Sequence, residues 1–169
     1  MKHNMKLALV AFTALTALSY EALAATQSVT ANISFDTPIT LTKNADISFG
    51  TVTAGVADTY TITTAAVVTA AGAGQWLGGT KTAGDITIAG STTQTVNISA
   101  GSYTANNGVT PQNAKCAYNG GAEVACSIVG AAAPGAGKTL KLGTEAVVNG
   151  TQAAGSSAAP TFVVTVVYP

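Results

Sequence analysis

The sequence predicts an all-β protein: an antiparallel, immunoglobulin-like β-sandwich of roughly eight to ten short strands. Thr, Val, Ala, Gly and Ser dominate the 169 residues and leucine is scarce, a composition that favours strands and turns over amphipathic helices. Short runs alternate between apolar and polar residues, and turns rich in glycine and asparagine separate them. A chain of this length can bury a core of its own, so one domain suffices.

The first 24 residues have the pattern of a cleaved signal peptide. Lys2 and Lys6 form a basic start, residues 7–18 an apolar run, and Ala22-Leu23-Ala24 a cleavage site with small residues. We therefore predict export through the periplasm to the cell surface or the medium, and a single domain over residues 25–169. No later apolar run approaches the roughly 20 residues that a membrane-spanning helix needs, so we expect no such segment after signal removal.

The clearest alternation in the chain runs from Ser28 to Phe35. It places polar side chains on one face of a predicted strand and four apolar side chains on the other face. The apolar residues are Val29, Ala31, Ile33 and Phe35. Two arrangements fit this pattern. Residues 25–36 are either a strand of their own sandwich or an extension donated to a neighbouring molecule.

Several short runs follow Pro38. The alternation predicts strands at 39–42, at 47–50 after a turn at 44–46, and at 59–64, where Tyr60 and Ile62 point inward. Residues 65–84 fit a strand, a helical turn or a loop.

The next two runs contain Ile86 with Ile88, and Val96 with Ile98 and Ala100. The intervening residues 90–93 have turn composition, so we predict a β-hairpin here and an exposed loop over residues 101–113.

Cys116 and Cys126 flank a second predicted hairpin. Asn119-Gly120-Gly121 lies between them and supplies the positive φ angles that a tight reversal needs. Because an exported protein meets an oxidising environment, we predict a disulfide between the two cysteines.

The C-terminal part predicts a loop at 130–137, short strands at Leu140–Leu142 and at Val147–Val148, and a last strand. That strand has one apolar face, and Val163 and Val167 make its other face apolar as well, which predicts a position covered on both sides. The inward-facing residues are Phe162, Val164, Val166 and Tyr168.

Enzymatic function is excluded mainly by the residue inventory. Residues 25–169 contain no histidine, so they offer neither a Ser-His-Asp arrangement nor the usual nitrogen ligand of zinc. The six remaining carboxylates are scattered singly along the sequence, and Gly135-Ala136-Gly137-Lys138-Thr139 precedes a predicted strand where a phosphate-binding loop requires a helix. We therefore predict no catalytic residues, no metal site and no cofactor.

Two further observations bear on binding. The chain has no arginine and a formal net charge of zero, which argues against nucleic acid as a partner. Trp76, the only tryptophan, lies among glycines, where an exposed indole could stack on a sugar. A lone tryptophan is more often part of a core, and we therefore predict that Trp76 is buried in the core.

Three segments resemble the bacterial secreted proteins grouped as domain of unknown function 4402: LTKNADISFGTVTAG (41–55), WLGGTKTAGDITIAG (76–90) and the terminal TFVVTVVY. The resemblance implies an exported β-sandwich and no particular site. VTANISFDTPITL (29–41) and the penultimate Tyr168 also resemble donor-strand pilins of the chaperone-usher type. That resemblance implies polymerisation by addition of an N-terminal strand.

We therefore expect a non-enzymatic structural subunit of a fimbria-like surface fibre. Its expected partners are further copies of itself, other surface subunits and a periplasmic chaperone. The alternative is a monomeric secreted binding module, for example one that binds a glycan, with Trp76 and the loops as its site. A hydrolase is the third candidate, because two carboxylates that are distant in sequence could still lie close together in the folded chain.

Overall fold

The computed structural model describes residues 25–169, and the predicted signal peptide lies outside the described residues. The chain divides into two units: the described part of the first is residues 25–34, and the second is Phe35–Pro169. In the first unit, residues 25–34 form neither helix nor strand. The second unit is an antiparallel β-sandwich, as the sequence predicts.

Twelve strands occur within residues 25–169, and every strand pair is antiparallel. Their bounds are β1 (Thr40–Ala45), β2 (Thr51–Val52), β3 (Ala57–Ile62), β4 (Val68–Ala70), β5 (Trp76–Gly78), β6 (Gly84–Ala89), β7 (Val96–Thr104), β8 (Val109–Tyr118), β9 (Val124–Ala125), β10 (Ser127–Ala131), β11 (Lys138–Asn149) and β12 (Thr161–Val167).

The strands form one large sheet and two small ones. The large sheet has seven strands, and β11 is at its centre. Along one side, β11 pairs with β6 through its first half and with β3 through its second half; β1 lies beside β6, and β4 beside β3. Along its other side β11 pairs with β8, and β9 lies beside β8. A three-stranded sheet has the order β10-β7-β12, and β2 pairs with β5 in a separate ribbon. The main core lies between the first two sheets, where Ile88 and Leu140 of the large sheet pack in one cluster with Val96 and Ile98 of the small one.

The inner face of the large sheet is longer than the three-stranded sheet that packs on it. A second cluster, formed by Tyr60, Val109, Ala146 and Val148, is separate from the main core. Its partly buried neighbours, Phe49, Val52 and Ala70, come from other parts of the chain than β7, β10 and β12. The apolar surface of the large sheet therefore continues beyond the smaller layer.

Tyr60 and Ile62 point inward as predicted, since their exposed fractions are 1% and 0%. The predicted hairpin between residues 86–88 and 96–100 is wrong. β6 pairs with β1 and β11 in the large sheet, whereas β7 pairs with β10 and β12 in the small one. Alternation shows which side chains face the core but does not show which strand lies alongside.

Other boundaries also differ from the prediction. The expected loop at 101–113 is largely strand, since β7 continues to Thr104 and β8 begins at Val109. Asn44 and Ala45 belong to β1, and the expected strand at 47–50 is reduced to a single bridge between Ser48 and Thr82.

The two short strands predicted around residues 140 and 148 are one strand, β11, with Gly143 in its middle. A Cβ at this position would collide with the carbonyl oxygen of Ile62. The glycine therefore permits a close approach of two backbones and does not end the strand.

Candidate functional site

Residues 25–35, which we call the N-terminal segment, differ from the predicted strand. They carry no strand in the structure, and every one of them is exposed. The four alternating apolar residues are included: Val29 is 90% exposed, Ile33 75% and Phe35 88%, and Ala31 is exposed too. The prediction of a strand in this segment is thus wrong for the single chain. Side chains of this size are seldom left in water together without a partner.

The last strand, β12, forms as predicted, but its position differs from the prediction. Phe162, Val164 and Val166 pack with the main core, whereas Val163 and Val167 on the opposite face are about half exposed. Within the described residues β12 pairs with β7 alone, so its other edge is free. β12 is therefore an edge strand and not a strand covered on both sides.

The free edge of β12 lacks the features that usually prevent edge-to-edge pairing. Its seven residues include no charge and no proline. The irregularity in its pairing with β7 comes from an additional residue on β7, near Ser102, whose φ is +51°. Natural edge strands are commonly protected by lysine, proline or a bulge, so this edge is unusually open to another strand.

β1 has a free edge as well, because its pairing within residues 25–169 is with β6 alone. A groove of about 970 Å³ is lined by the end of β1 and the following segment, by the residues before β12, and by Thr161, Phe162 and Val164 of β12 itself. We call it the β1–β12 groove. Its lining therefore includes β1 and β12, two of the strands at the edges of the two main sheets.

The second apolar cluster also lines this groove. Tyr60, Val109, Ala146 and Val148 all contribute, together with Leu142 of the main core. The groove therefore lies over that part of the large sheet to which the three-stranded sheet does not extend. One more strand beside β12 would extend the smaller sheet over this surface.

A buried polar atom in the groove wall is unpaired. The Nε2 of Gln152 donates to the carbonyl oxygen of Asn107 and to Oδ1 of Asn149, both at 2.8 Å. Its Oε1 is buried and has no partner in the part of the chain that the structure describes. An N–H group entering the groove could satisfy this acceptor and remove the cost of leaving it unpaired.

The predicted disulfide between Cys116 and Cys126 is present, with a Cα–Cα distance of 4.8 Å. Cys116 lies in β8, and Asn119 and Gly120 turn the chain into β9 with positive φ angles, as expected. Cys126 follows β9 and precedes β10, at the position where the chain leaves the large sheet for the small one. The bond therefore joins the two layers and does more than close a hairpin.

Trp76 does not lie in the core, contrary to the prediction. Its side chain is 39% exposed, and Nζ of Lys81 lies 4.2 Å from the ring centroid in a cation–π arrangement. Leu77 beside it is exposed too. The indole is accessible, but the lysine occupies one of its faces.

A second polar arrangement lies near Tyr60. The carboxylate of Asp58 accepts hydrogen bonds from the backbone N–H groups of Thr59, Gly72 and Gly74 at 2.6–2.8 Å. Desolvation by burial raises the pKa of Asp58, but these backbone hydrogen bonds outweigh it, so the pKa lies below its ordinary value of 3.8. Asp58 thereby holds the loop before β5 against β3.

Among residues 25–169, no three His, Cys, Asp or Glu side chains lie close enough together to hold a metal ion. This part of the chain also contains no helix long and apolar enough to cross a membrane.

The sequence did not reveal the groove or the role of Ser91. The groove arises from strand order, which alternation does not encode. Ser91 lies in a Gly-Ser-Thr-Thr run that resembles a surface turn, yet it is fully buried. The only feature of the sequence that marks this position is Gly90, the residue before it. In the structure a Cβ at Gly90 would lie 2.5 Å from the Tyr168 hydroxyl, so a larger residue would not fit there.

These features define an all-β sandwich in which β1 and β12 each have a free edge and line a largely apolar groove. The chain belongs to the family described as domain of unknown function (DUF4402), whose model matches residues 39–168. This match confirms the resemblance found in the sequence. No curated protein and no solved structure matches the chain.

Proposed function

We propose that this chain is a non-enzymatic structural subunit of a bacterial surface fibre. In this proposal the N-terminal segment of one subunit occupies the β1–β12 groove of the next and adds a strand to its sheet. The observation that carries the proposal is the free, uncharged edge of β12, which lines an open groove with a largely apolar lining.

The segment and the groove match in chemistry. One face of the segment presents Val29, Ala31, Ile33 and Phe35, and the groove floor is apolar. Full burial of each larger side chain is worth roughly 1.5–3 kcal/mol, so three of them give a gross gain of several kcal/mol per junction. The N-terminal segment carries no charge, and the charged residues of the groove lining, Lys43 and Asp46, pair with each other at 2.8 Å.

The segment also matches the free edge of β12 in length. Residues 29–35 span roughly 20 Å as an extended strand, at about 3.3 Å per residue, and the seven residues of β12 span the same distance. Addition of a strand at a free edge supplies main-chain hydrogen bonds as well as apolar contact. Gln152 in the groove wall offers a further acceptor for an incoming N–H group.

The direct test is the state of the purified full chain after export and signal removal. Electron microscopy should show fibres, and a gel of unheated sample should show a ladder of multimers that boiling collapses to one band. A single species with a cooperative melting transition independent of protein concentration would contradict the proposal.

A strand-deficient sandwich needs protection before assembly. Its free edges and apolar groove would otherwise pair with unrelated strands during export. The proposal therefore includes a periplasmic chaperone that covers the groove transiently, and allows other surface subunits as neighbours in the fibre.

The accessible indole of Trp76 supports a second candidate, a secreted module that binds a glycan. Titration of the monomeric protein with oligosaccharides, followed through the fluorescence of this single tryptophan, tests it. A saturable change that is lost in Trp76→Ala, without any multimers of the wild-type chain, would favour the binding module over the fibre subunit. For either candidate, we expect screens with glycoside, ester and peptide substrates to give no turnover.

A further inference from the structure

Four residues form a hydrogen-bonded cluster at the point where the N-terminal segment joins the sandwich. The hydroxyl of Tyr168 donates to the carbonyl oxygen of Thr37 at 2.6 Å and accepts from the backbone N–H of Ser91 at 2.7 Å. Oγ of Ser91 donates to Oδ2 of Asp36 at 2.6 Å. We call Asp36, Thr37, Ser91 and Tyr168 the exit clasp.

Ser91 is the centre of the clasp. It is fully buried, and its Oγ also accepts hydrogen bonds from the backbone N–H groups of Thr93 and Gln94 at 3.1 and 3.0 Å. A buried hydroxyl with this many partners has one well-defined orientation. Asp36 and Thr37 are therefore tied to a rigid part of the fold, although both lie at the surface.

The clasp lies at one end of β12, and the groove-lining residues lie at the other. Tyr168 follows the last residue of β12, whereas Thr161, Phe162 and Val164 belong to its first half. Six residues separate Phe162 from Tyr168, which corresponds to roughly 20 Å along an extended strand. β1 begins just after the clasp, at Thr40.

This arrangement limits what the segment can do within its own molecule. To reach its own groove, the chain would have to reverse direction beside Tyr168. A reversal takes at least about two residues. Because Asp36 is held by Ser91, those residues would come from Phe35 and its predecessors, and the segment would lose part of its apolar face to the turn.

The direction of pairing would also be unfavourable. After such a reversal, the segment would run from the Thr161 end of β12 towards the Tyr168 end, parallel to β12. All strand pairs among residues 25–169 are antiparallel, and parallel pairing is slightly less stable per residue. A segment from another molecule is free of both restrictions.

We propose that the exit clasp prevents the N-terminal segment from filling its own groove and thereby commits it to a second copy of this chain. This inference rests on the proposed function and adds the device that selects assembly over self-insertion. Because the donating end and the accepting groove are different surfaces, the contact is head-to-tail, the type that builds an open filament when the rotation between neighbouring subunits closes no ring.

The test opens the clasp and measures the balance between monomer and multimer. Tyr168→Phe removes the hydroxyl, and Tyr118→Phe is the matched control, since Tyr118 also donates to a backbone carbonyl, that of Ala132, at 2.9 Å. We expect Tyr168→Phe to raise the ratio of folded monomer to multimer about fivefold, the change that loss of the hydrogen bond to Thr37, worth about 1 kcal/mol, produces, and Tyr118→Phe to leave it unchanged.

Asp36→Ala provides a second variant with little risk to folding, because Asp36 is exposed. It should shift the ratio in the same direction. In the monomers that accumulate, residues 29–35 should be protected from proteases, as self-insertion requires. If the wild type forms multimers and both clasp variants behave like Tyr118→Phe, the clasp proposal is wrong and the fibre proposal stands. A wild type that stays monomeric would overturn the fibre proposal itself.

Discussion

Cys116 and Cys126 connect the two layers of the sandwich through a bond that is almost entirely buried. Cys116 belongs to the large sheet, and Cys126 stands at the crossing to the three-stranded sheet. Two backbone hydrogen bonds of Cys126 also link the layers. Its N–H donates to the carbonyl oxygen of Ala114 in β8, and its own carbonyl oxygen accepts from the N–H of Ala100 in β7. The bond thus supports the layer that carries β12.

The first prediction concerns this disulfide. Replacing both cysteines by serine should lower the free energy of unfolding by about 2–3 kcal/mol, because the unfolded chain gains the freedom of the opened loop. Denaturant unfolding of both forms measures the difference. Alkylation of the unreduced wild type should add no mass; two alkylated thiols in protein taken from an oxidising compartment would contradict the prediction.

The second prediction concerns the donated face of the N-terminal segment. Ile33→Asp should abolish multimers, because insertion would bury an unpaired carboxylate in apolar surroundings at a cost of several kcal/mol. Asn32→Asp introduces the same charge one residue away, on the opposite face, and serves as the control. Sedimentation of both variants measures the effect.

A synthetic peptide covering residues 26–37 extends this experiment. It should bind the groove of Ile33→Asp subunits and raise their melting temperature, since a ligand that binds only the folded state stabilises it. Equal loss of multimers in Ile33→Asp and Asn32→Asp would show that charge, and not the buried face, controls assembly.

The third prediction concerns the groove side of β12. Val164→Lys places a charge in the groove lining, whereas Val163→Lys places it on the half-exposed opposite face. We expect Val164→Lys to be defective as an acceptor and Val163→Lys to assemble normally. Mixing each variant with a chain that has an intact segment, followed by a gel of unheated sample, measures acceptor function.

Folding must be separated from acceptor function in that experiment. Formation of the Cys116–Cys126 bond reports folding independently of assembly, and deletion of residues 162–169 provides a form that should not fold at all. Normal acceptor activity of folded Val164→Lys would show that the groove is not the acceptor.

The fourth prediction concerns acid stability. The pKa of Asp58 is lower in the folded protein than its ordinary value of 3.8, so its ionised form stabilises the fold above that pH, and this contribution is lost as the pH falls through the lower folded value. Asp58→Asn should therefore be less stable than the wild type at neutral pH and should show a smaller loss of stability below pH 3.8.

Asp46→Asn is the control for this comparison. Asp46 pairs with Lys43 at 2.8 Å, but both side chains are largely exposed, and such pairs contribute little. Thermal unfolding between pH 2.5 and 7 measures all three proteins, with the pH range chosen to bracket ordinary carboxyl titration at about 4. Parallel stability curves for the wild type and Asp58→Asn would contradict the prediction.

The sequence predicted side-chain orientation better than strand partners. Tyr60 and Ile62 face the core as their alternation required, and Asn119 and Gly120 form the expected reversal. Alternation depends on contacts between neighbours in sequence, and it therefore identifies the buried face of each strand. The pairing of β6 with β11 joins residues 50 to 58 positions apart, and no local pattern encodes it.

In the candidate site, too, features set by local sequence could be predicted and features set by distant residues could not. The apolar face of the N-terminal segment could be predicted from its sequence, but its failure to form a strand in the single chain could not, since that depends on whether a free edge is available. Trp76 illustrates another limit: statistics place a lone tryptophan in a core, whereas Lys81 stabilises its ring at the surface. The buried position of Ser91 depends on Asp36 and Tyr168, which are remote in sequence.

In the proposed fibre, the separation of the exit clasp from the groove makes the two tips chemically distinct. One tip always presents an empty groove and the other a free N-terminal segment, so that elongation at the two tips requires different incoming surfaces. A subunit with residues 25–35 removed can still receive a segment but has none to offer. Added in small amounts, it should act as a terminator at one tip only and set the average fibre length by its ratio to the intact chain.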